Sequence, residues 1–240
     1  MWRPPVRTVA MPRLLAFETV ARSATASVIA SDGRELAFVD LNGRSSEVAL
    51  VPVLDQLMRD YGQPEALAVV MGPGSFTGLR VGVVAARTFA WMAKIPVYPV
   101  DALIALALER GDGLWWPMLS LKRDTTFHAI VRVIGGRPEV LLATVAQADA
   151  DVPTLPENLE GLIAIGSALT VKPGLVERWR PGTTLGDASA LTARGVVLAA
   201  AHVEAVPWQQ VLPAYHQDAA PVIQRAQQLA RSSAPPAPIV

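Results

Sequence analysis

The 240-residue chain has no cysteine, which excludes a disulfide framework, a thiolate zinc site, an iron–sulfur cluster and a cysteine nucleophile. An excess of either charge is also missing. With 21 basic and 21 acidic side chains, no overall field draws the molecule to phosphate backbones or to an anionic membrane surface. Long apolar runs are lacking too: Arg87 and Lys94 break the richest stretch, Val81 to Val100, well before the roughly 18 uninterrupted residues of a membrane span. Near the N-terminus, Arg3 and Arg7 precede an apolar stretch, Leu14 to Phe17, that Glu18 ends, too short for a secretory h-region. The expectation is a soluble, cytoplasmic protein with no membrane association. Its three histidines, His128, His202 and His216, are far apart and form no H-x-x-x-H pair, so neither a metal nor another cofactor is expected. What the chain does have is apolar bulk. At 51% hydrophobic against 18% charged it is unlike a disordered chain, and it is long enough for one large domain or two lobes of about 110 residues each.

Three strands open the pattern, Leu14 to Thr19, Thr25 to Ala30 and Glu35 to Asp40, the last two joined at Ser31-Asp32-Gly33-Arg34, where Asp and Gly tolerate positive φ. A helical stretch follows from Ser46 to Tyr61. The continuous apolar run Ala66 to Met71 suits a strand covered on both faces. A glycine-rich turn, Gly72 to Gly78, then leads to a helix over Leu79 to Ala93, a strand over Ile95 to Val100 and a helix from near Asp101. The second half again starts with three strands: Trp115 to Leu121, Phe127 to Val133 and, after Gly135-Gly136, Glu139 to Ala143. A strand at Leu162 to Gly166 and a helical segment over Ala188 to Ala205 complete the echo. A three-stranded meander followed by alternating α and β elements, occurring twice, is the α/β pattern of the actin-like (ASKHA, ribonuclease H-like) superfold with duplicated βββαβα lobes. The expected division is an extension over residues 1–10, a first lobe over 11–110, a second over 111–217, and a C-terminal helix or tail over 218–240. The two terminal segments are expected to be disordered, the last one in part. Met11, immediately before the first strand, is a candidate alternative start.

The most informative local segment is Gly72-Pro73-Gly74-Ser75-Phe76-Thr77-Gly78-Leu79-Arg80-Val81-Gly82, between a buried strand and a helix. Gly72, Pro73, Gly74 and Gly78 enforce a defined turn around Ser75 and Thr77. Backbone N–H groups at the start of the next helix can hold an anion; a purely structural turn is the alternative. It is not a Walker A loop, because no Lys-Ser or Lys-Thr follows Gly78, nor G-x-G-x-x-G, because Thr77 stands at the third glycine. Read as a hydrolase nucleophile, Ser75 lacks the G-x-S-x-G context and a histidine implicated by position. Lys122 and Arg123 form only a two-residue basic cluster.

Helical periodicity singles out two surfaces. In the second helix Gly78, Gly82, Ala86 and Ala90 recur every fourth residue as a stripe of small side chains, and apolar residues cover most of the remaining circumference. In the first, Leu50, Val53, Leu54, Leu57 and Tyr61 form an i, i+3, i+4 stripe flanked by Val48, Val51 and Met58. Both patterns fit a well-buried core helix, and both fit a helix-to-helix interface that would include Leu50, Val53, Leu54, Leu57, Met58, Tyr61, Gly78, Gly82, Ala86 and Ala90.

The GPGSFTGLRVG segment resembles the signature of the bacterial TsaB (YeaZ) family. Agreement extends to the strand at Leu14 that ends in an acidic residue and Thr, to Ser46-Glu47 with Leu50-Val51-Pro52, and to Pro213-Ala214-Tyr215. Departures are Glu18 for Asp, Ser45 for a His, Ser120-Leu121-Lys122 for Asp-Ala-Arg, and Tyr215-His216-Gln217 for Tyr-Leu-Arg. The resemblance implies a non-catalytic subunit that pairs with TsaD and, with it, the ATPase TsaE, to place threonylcarbamoyl on the adenosine beside the tRNA anticodon. It implies tRNA contact only through that complex, and isolated chains that can pair as homodimers. The alternative within the superfold is an autonomous ATPase or small-molecule kinase using Glu18 and the Gly72 to Gly78 turn. That reading meets a loop, Thr19 to Ala24, without the glycine that phosphate contact between the first two strands requires.

Overall fold

In the computed structural model residues 12–214 are described. The expected extension over 1–10, Met11, Tyr215, His216, Gln217 and the segment 218–240 lie outside the described residues. The meander forms as strands β1 (Leu14–Glu18), β2 (Thr25–Ile29) and β3 (Glu35–Asp40). Its tight turn is closed by Asp32, whose Oδ1 accepts from the Arg34 amide at 2.9 Å. Then follow helix α1 (Ser46–Tyr61), strand β4 (Ala66–Gly72), helix α2 (Phe76–Ala93), strand β5 (Val97–Asp101) and helix α3 (Ala102–Glu109). The first sheet has the order β3-β2-β1-β4-β5, with β1, β4 and β5 parallel. Every residue of β4 is buried, as a strand covered on both faces must be.

The second half builds β6 (Gly113–Lys122), β7 (Thr125–Ile134), β8 (Arg137–Ala148), β9 (Ile163–Ile165), short helices α4 (Ala168–Val171) and α5 (Leu175–Trp179), β10 (Thr184–Leu185) and helix α6 (Ala193–Ala200). Its sheet order, β10-β9-β6-β7-β8, repeats the first sheet strand for strand: β6 corresponds to β1, β9 to β4 and β10 to β5. The duplication therefore lives in the topology. It is incomplete, because residues 149–162 form no helix between β8 and β9 and two short helices stand where the first lobe has α2.

α1 and α2 cover the outer face of the first sheet, where Leu50, Leu54, Leu57, Val83 and Ala86 meet Leu15, Phe17, Leu67 and Val69. The outer face of the second carries α4 and α5, with Trp116, Met118 and Trp179 in its core. Between the sheets lie α3 and α6, and they are exchanged: α3 packs chiefly on β6, β7 and β8, while α6 packs on β1, β2, β4 and β5. The chain then continues along the first lobe. Val206 pairs with Val97, and the Ala214 amide reaches the Met71 carbonyl at 2.7 Å. A boundary at residue 110 thus divides the sheets, but α6 and residues 206–214 join the first lobe rather than the second. No helix among the described residues is long and apolar enough to cross a membrane.

Candidate functional site

The loops that end β1 and β4 define the region of interest. Ser75 caps α2 by accepting from the Gly78 amide at 3.0 Å, so the helix starts at Phe76 rather than at Leu79. Thr19 donates its hydroxyl to the Gly78 carbonyl at 2.6 Å. A Cβ at Gly78 would strike the Thr19 carbonyl, and one at Gly82 would meet its hydroxyl. Ala86 and Ala90, one and two turns further, are fully buried in the same core. Gly78 and Gly82 therefore admit the chain's own Thr19, just after β1, and Ala86 and Ala90 face the core, which corrects the reading of Gly78, Gly82, Ala86 and Ala90 as an entry for a partner backbone. Leu50, Leu54 and Leu57 are likewise buried against the sheet, while Val53 and Met58 are half-buried beside them.

The opposite surfaces of the same two helices, which touch each other, are apolar and open. Val48 is 76% and Val51 51% exposed on α1; on α2 Val84 is 61%, Trp91 60% and Met92 67% exposed. Tyr61 and Phe76 stand partly exposed at the helix ends, Phe76 beneath the Arg80 guanidinium at 4.1 Å. The residues flanking the predicted stripes, more than the stripes themselves, form this surface. Large apolar side chains left in water in number on one pair of helices mark a candidate interaction surface.

Glu18, at the end of β1, is fully buried. Its Oε2 accepts from the amides of Val20 and Ala21, both at 3.0 Å, and Oε1 from the Thr25 hydroxyl at 3.2 Å. Thr25 in turn accepts from the Ala193 amide of α6 at 2.8 Å. Burial outweighs these donors and raises the carboxyl to about 7, with the nearby Glu109 adding to the rise. The loop after β1 thus spends two of its amides on its own carboxylate. No group of three or more metal-ligating side chains exists among the described residues.

Other predicted positions are scattered. His128 is buried in the second lobe, where its Nδ1 accepts from Trp116 Nε1 at 3.1 Å and burial pushes it down to about 4. His202 is exposed near the C-terminal end of α6, and the Ser75 hydroxyl is engaged with the Gly78 amide as the cap of α2. Ser120 to Lys122 end β6, and Arg123 is exposed in the following turn.

A family model described as TsaD, tRNA N6-adenosine threonylcarbamoyltransferase, matches residues 41–162, about half of the chain. The chain is 34% identical over 128 residues to the tRNA threonylcarbamoyladenosine biosynthesis protein TsaB of Haemophilus influenzae and 28% over 129 residues to that of Bacillus subtilis. These matches cover 50% and 51% of this chain and only 54% and 56% of those relatives. Escherichia coli TsaB is 24% identical over 216 residues, 81% of this chain and 93% of its own length. Among solved structures, YeaZ from Pseudomonas aeruginosa superposes with a TM-score of 0.73 at 23% identity, covering 85% of this chain and all of that one. Its likeness extends the same architecture over both lobes. The GPGSFTGLRVG turn, the duplicated sheet order and these similarities converge: the chain belongs to the TsaB/YeaZ family, within the wider group that the threonylcarbamoyltransferase model describes.

Proposed function

We propose that this protein is a non-catalytic subunit in tRNA threonylcarbamoyladenosine biosynthesis, docking a TsaD threonylcarbamoyltransferase with the outer surfaces of α1 and α2. The observation that carries the reading is the open apolar surface of Val48, Val51, Val84, Trp91 and Met92. Leu50, Leu54, Leu57, Ala86 and Ala90 act one layer below, as the core that holds the two helices against the sheet, and Tyr61 lies at the edge of the contact. TsaE joins once TsaD is bound, tRNA is met only through the assembly, and two isolated chains pair through the same surface. The superfold's alternative, an autonomous ATPase or kinase, is less well supported because the Val20 and Ala21 amides are already occupied by Glu18.

The test is association of the purified chain with TsaD by calorimetry, alongside thermal melts. Val84→Arg and Trp91→Ser lie on the exposed surface, so both should melt like the wild type. Truncating anchors at the centre of an interface weakens binding by 2 kcal/mol or more, about thirtyfold in the dissociation constant. Wild-type association by both variants overturns the assignment.

A further inference from the structure

Outside the carboxyl ends of β1 and β4, three loops line an open cleft of about 210 Å³ beside the first turns of α1 and α2. Arg22 comes from the loop after β1, Arg44 and Ser45 from the loop after β3, Ser46 from the first turn of α1, and Thr77 from the first turn of α2. Both arginines lack an acidic partner within the described chain; Arg44 uses only Nε, toward the Leu41 carbonyl at 3.2 Å. Ser45 precedes α1 yet does not cap it, and the hydroxyls of Ser45, Ser46 and Thr77 make no hydrogen bond with described groups. One carboxylate, Glu47, also lines the cleft, unpaired with either arginine.

Two guanidinium groups without an acidic partner and three hydroxyls without a hydrogen bond to described groups line one small concavity, against a single carboxylate, so donors outnumber acceptors there. We propose that this cleft binds a phosphate dianion, either inorganic phosphate or the terminal phosphate of a small phosphorylated molecule. Arginine matches phosphate oxygens with charge-assisted, often paired hydrogen bonds, and the hydroxyls donate to the oxygens that remain. Crevices beyond the carboxyl ends of parallel strands are where open α/β sheets place ligands. Size narrows the class: the volume is below the roughly 300 Å³ at which pockets begin to enclose a whole drug-sized molecule, so a nucleotide would enter by its phosphate end alone. The inference concerns the isolated chain and stands apart from the proposed role in tRNA modification.

The experiment titrates inorganic phosphate into the full chain at constant ionic strength, with chloride as the exchanged anion. It follows the melting temperature and the backbone amide resonances of Ser46 and Thr77. Phosphate should raise the melting temperature and shift those amides, with an affinity in the millimolar range. Arg22→Gln and Arg44→Gln, both exposed substitutions, should each weaken binding about tenfold while leaving the phosphate-free melting temperature unchanged. ADP, the second probe, should compete with phosphate and bind within tenfold of it, showing that the terminal phosphate alone is read. Equal responses to phosphate and chloride, wild-type affinity in both variants, or ADP bound far more tightly than phosphate would each overturn the proposal.

Discussion

Replacing Glu18 with glutamine will stabilise the protein above neutral pH and leave it unchanged in acid. The carboxyl is fully buried, and desolvation lifts it from 4.5 to about 7 despite three hydrogen-bond donors. Below pH 4.5 the folded and unfolded chains both hold the proton, and the stability is complete. As the pH rises, the unfolded chain releases its proton first, so folding weakens until the native carboxyl also ionises near pH 7, after which the loss is constant. At about 1.4 kcal/mol for each pH unit of displacement, that loss approaches roughly 3 kcal/mol at pH 8. Glutamine keeps an acceptor for the Val20 and Ala21 amides without ever carrying charge. The wild-type profile alone does not reveal the effect. His128, depressed to about 4, costs stability as the pH falls from 6.5 toward 4, tilting the same interval the other way, and Glu109 is raised in the same direction as Glu18. Both are present in Glu18→Gln as well, so the difference between variant and wild type isolates Glu18. Urea unfolding at closely spaced pH values should give a difference that is constant below pH 4.5, climbs through pH 5 to 7 and levels near 3 kcal/mol. A difference that stays flat from pH 4 to 8 refutes the argument that burial dominates the environment of this carboxyl.

Ala86→Arg should unfold rather than merely detach the protein, because Ala86 is fully buried and an unpaired guanidinium there costs about 3 kcal/mol or more; a thermal melt shows it, and an unchanged melting temperature contradicts the inward orientation of the stripe. Calorimetry with Mg-ATP should give no dissociation constant in the low micromolar range, since the loop after β1 has neither glycine nor spare amides at Val20 and Ala21. Filter binding of tRNA to the isolated chain should be weak and indiscriminate near physiological salt, as expected for zero net charge without a basic run; submicromolar affinity with a steep salt dependence would show a basic surface assembled by the fold.

Local signals were legible where they were strong. The limits of α1 coincide with those read from its periodicity, and β1 to β4 depart by no more than a residue at either end. α2 begins three residues before Leu79 because Ser75 caps it, a role its place in a turn motif obscures. The helix read over Ala188 to Ala205 shrinks to Ala193–Ala200, with Thr192 capping its start. The short elements α4, α5 and β10 have too few residues to show a period. Periodicity also reported which side chains share a face without reporting what that face meets: Gly78 to Ala90 do form a stripe, but Gly78 and Gly82 meet Thr19, 59 residues before Gly78 in sequence, and Ala86 and Ala90 face the core. The Glu18 environment was hidden for the same reason. Its carboxyl meets Val20, Ala21 and Thr25 locally, and only the return of α6 seals it.

The exchange of α3 and α6 between the sheets has a consequence for biosynthesis. A nascent chain that has emerged as far as Glu109 contains every strand of the first sheet but lacks α6, the helix that packs on the inner face of β1, β2, β4 and β5, because Val196, Val197 and Ala200 have still to be made. Val206, which pairs with the edge of β5, is made later still. Partly built lobes with open apolar faces and strand edges are prone to aggregate, so the first-made half becomes self-sufficient only once α6 and Val206 have been made. A fragment ending after α3 should accordingly fail to fold by itself and should recover native structure when the remainder of the chain is supplied as a separate polypeptide.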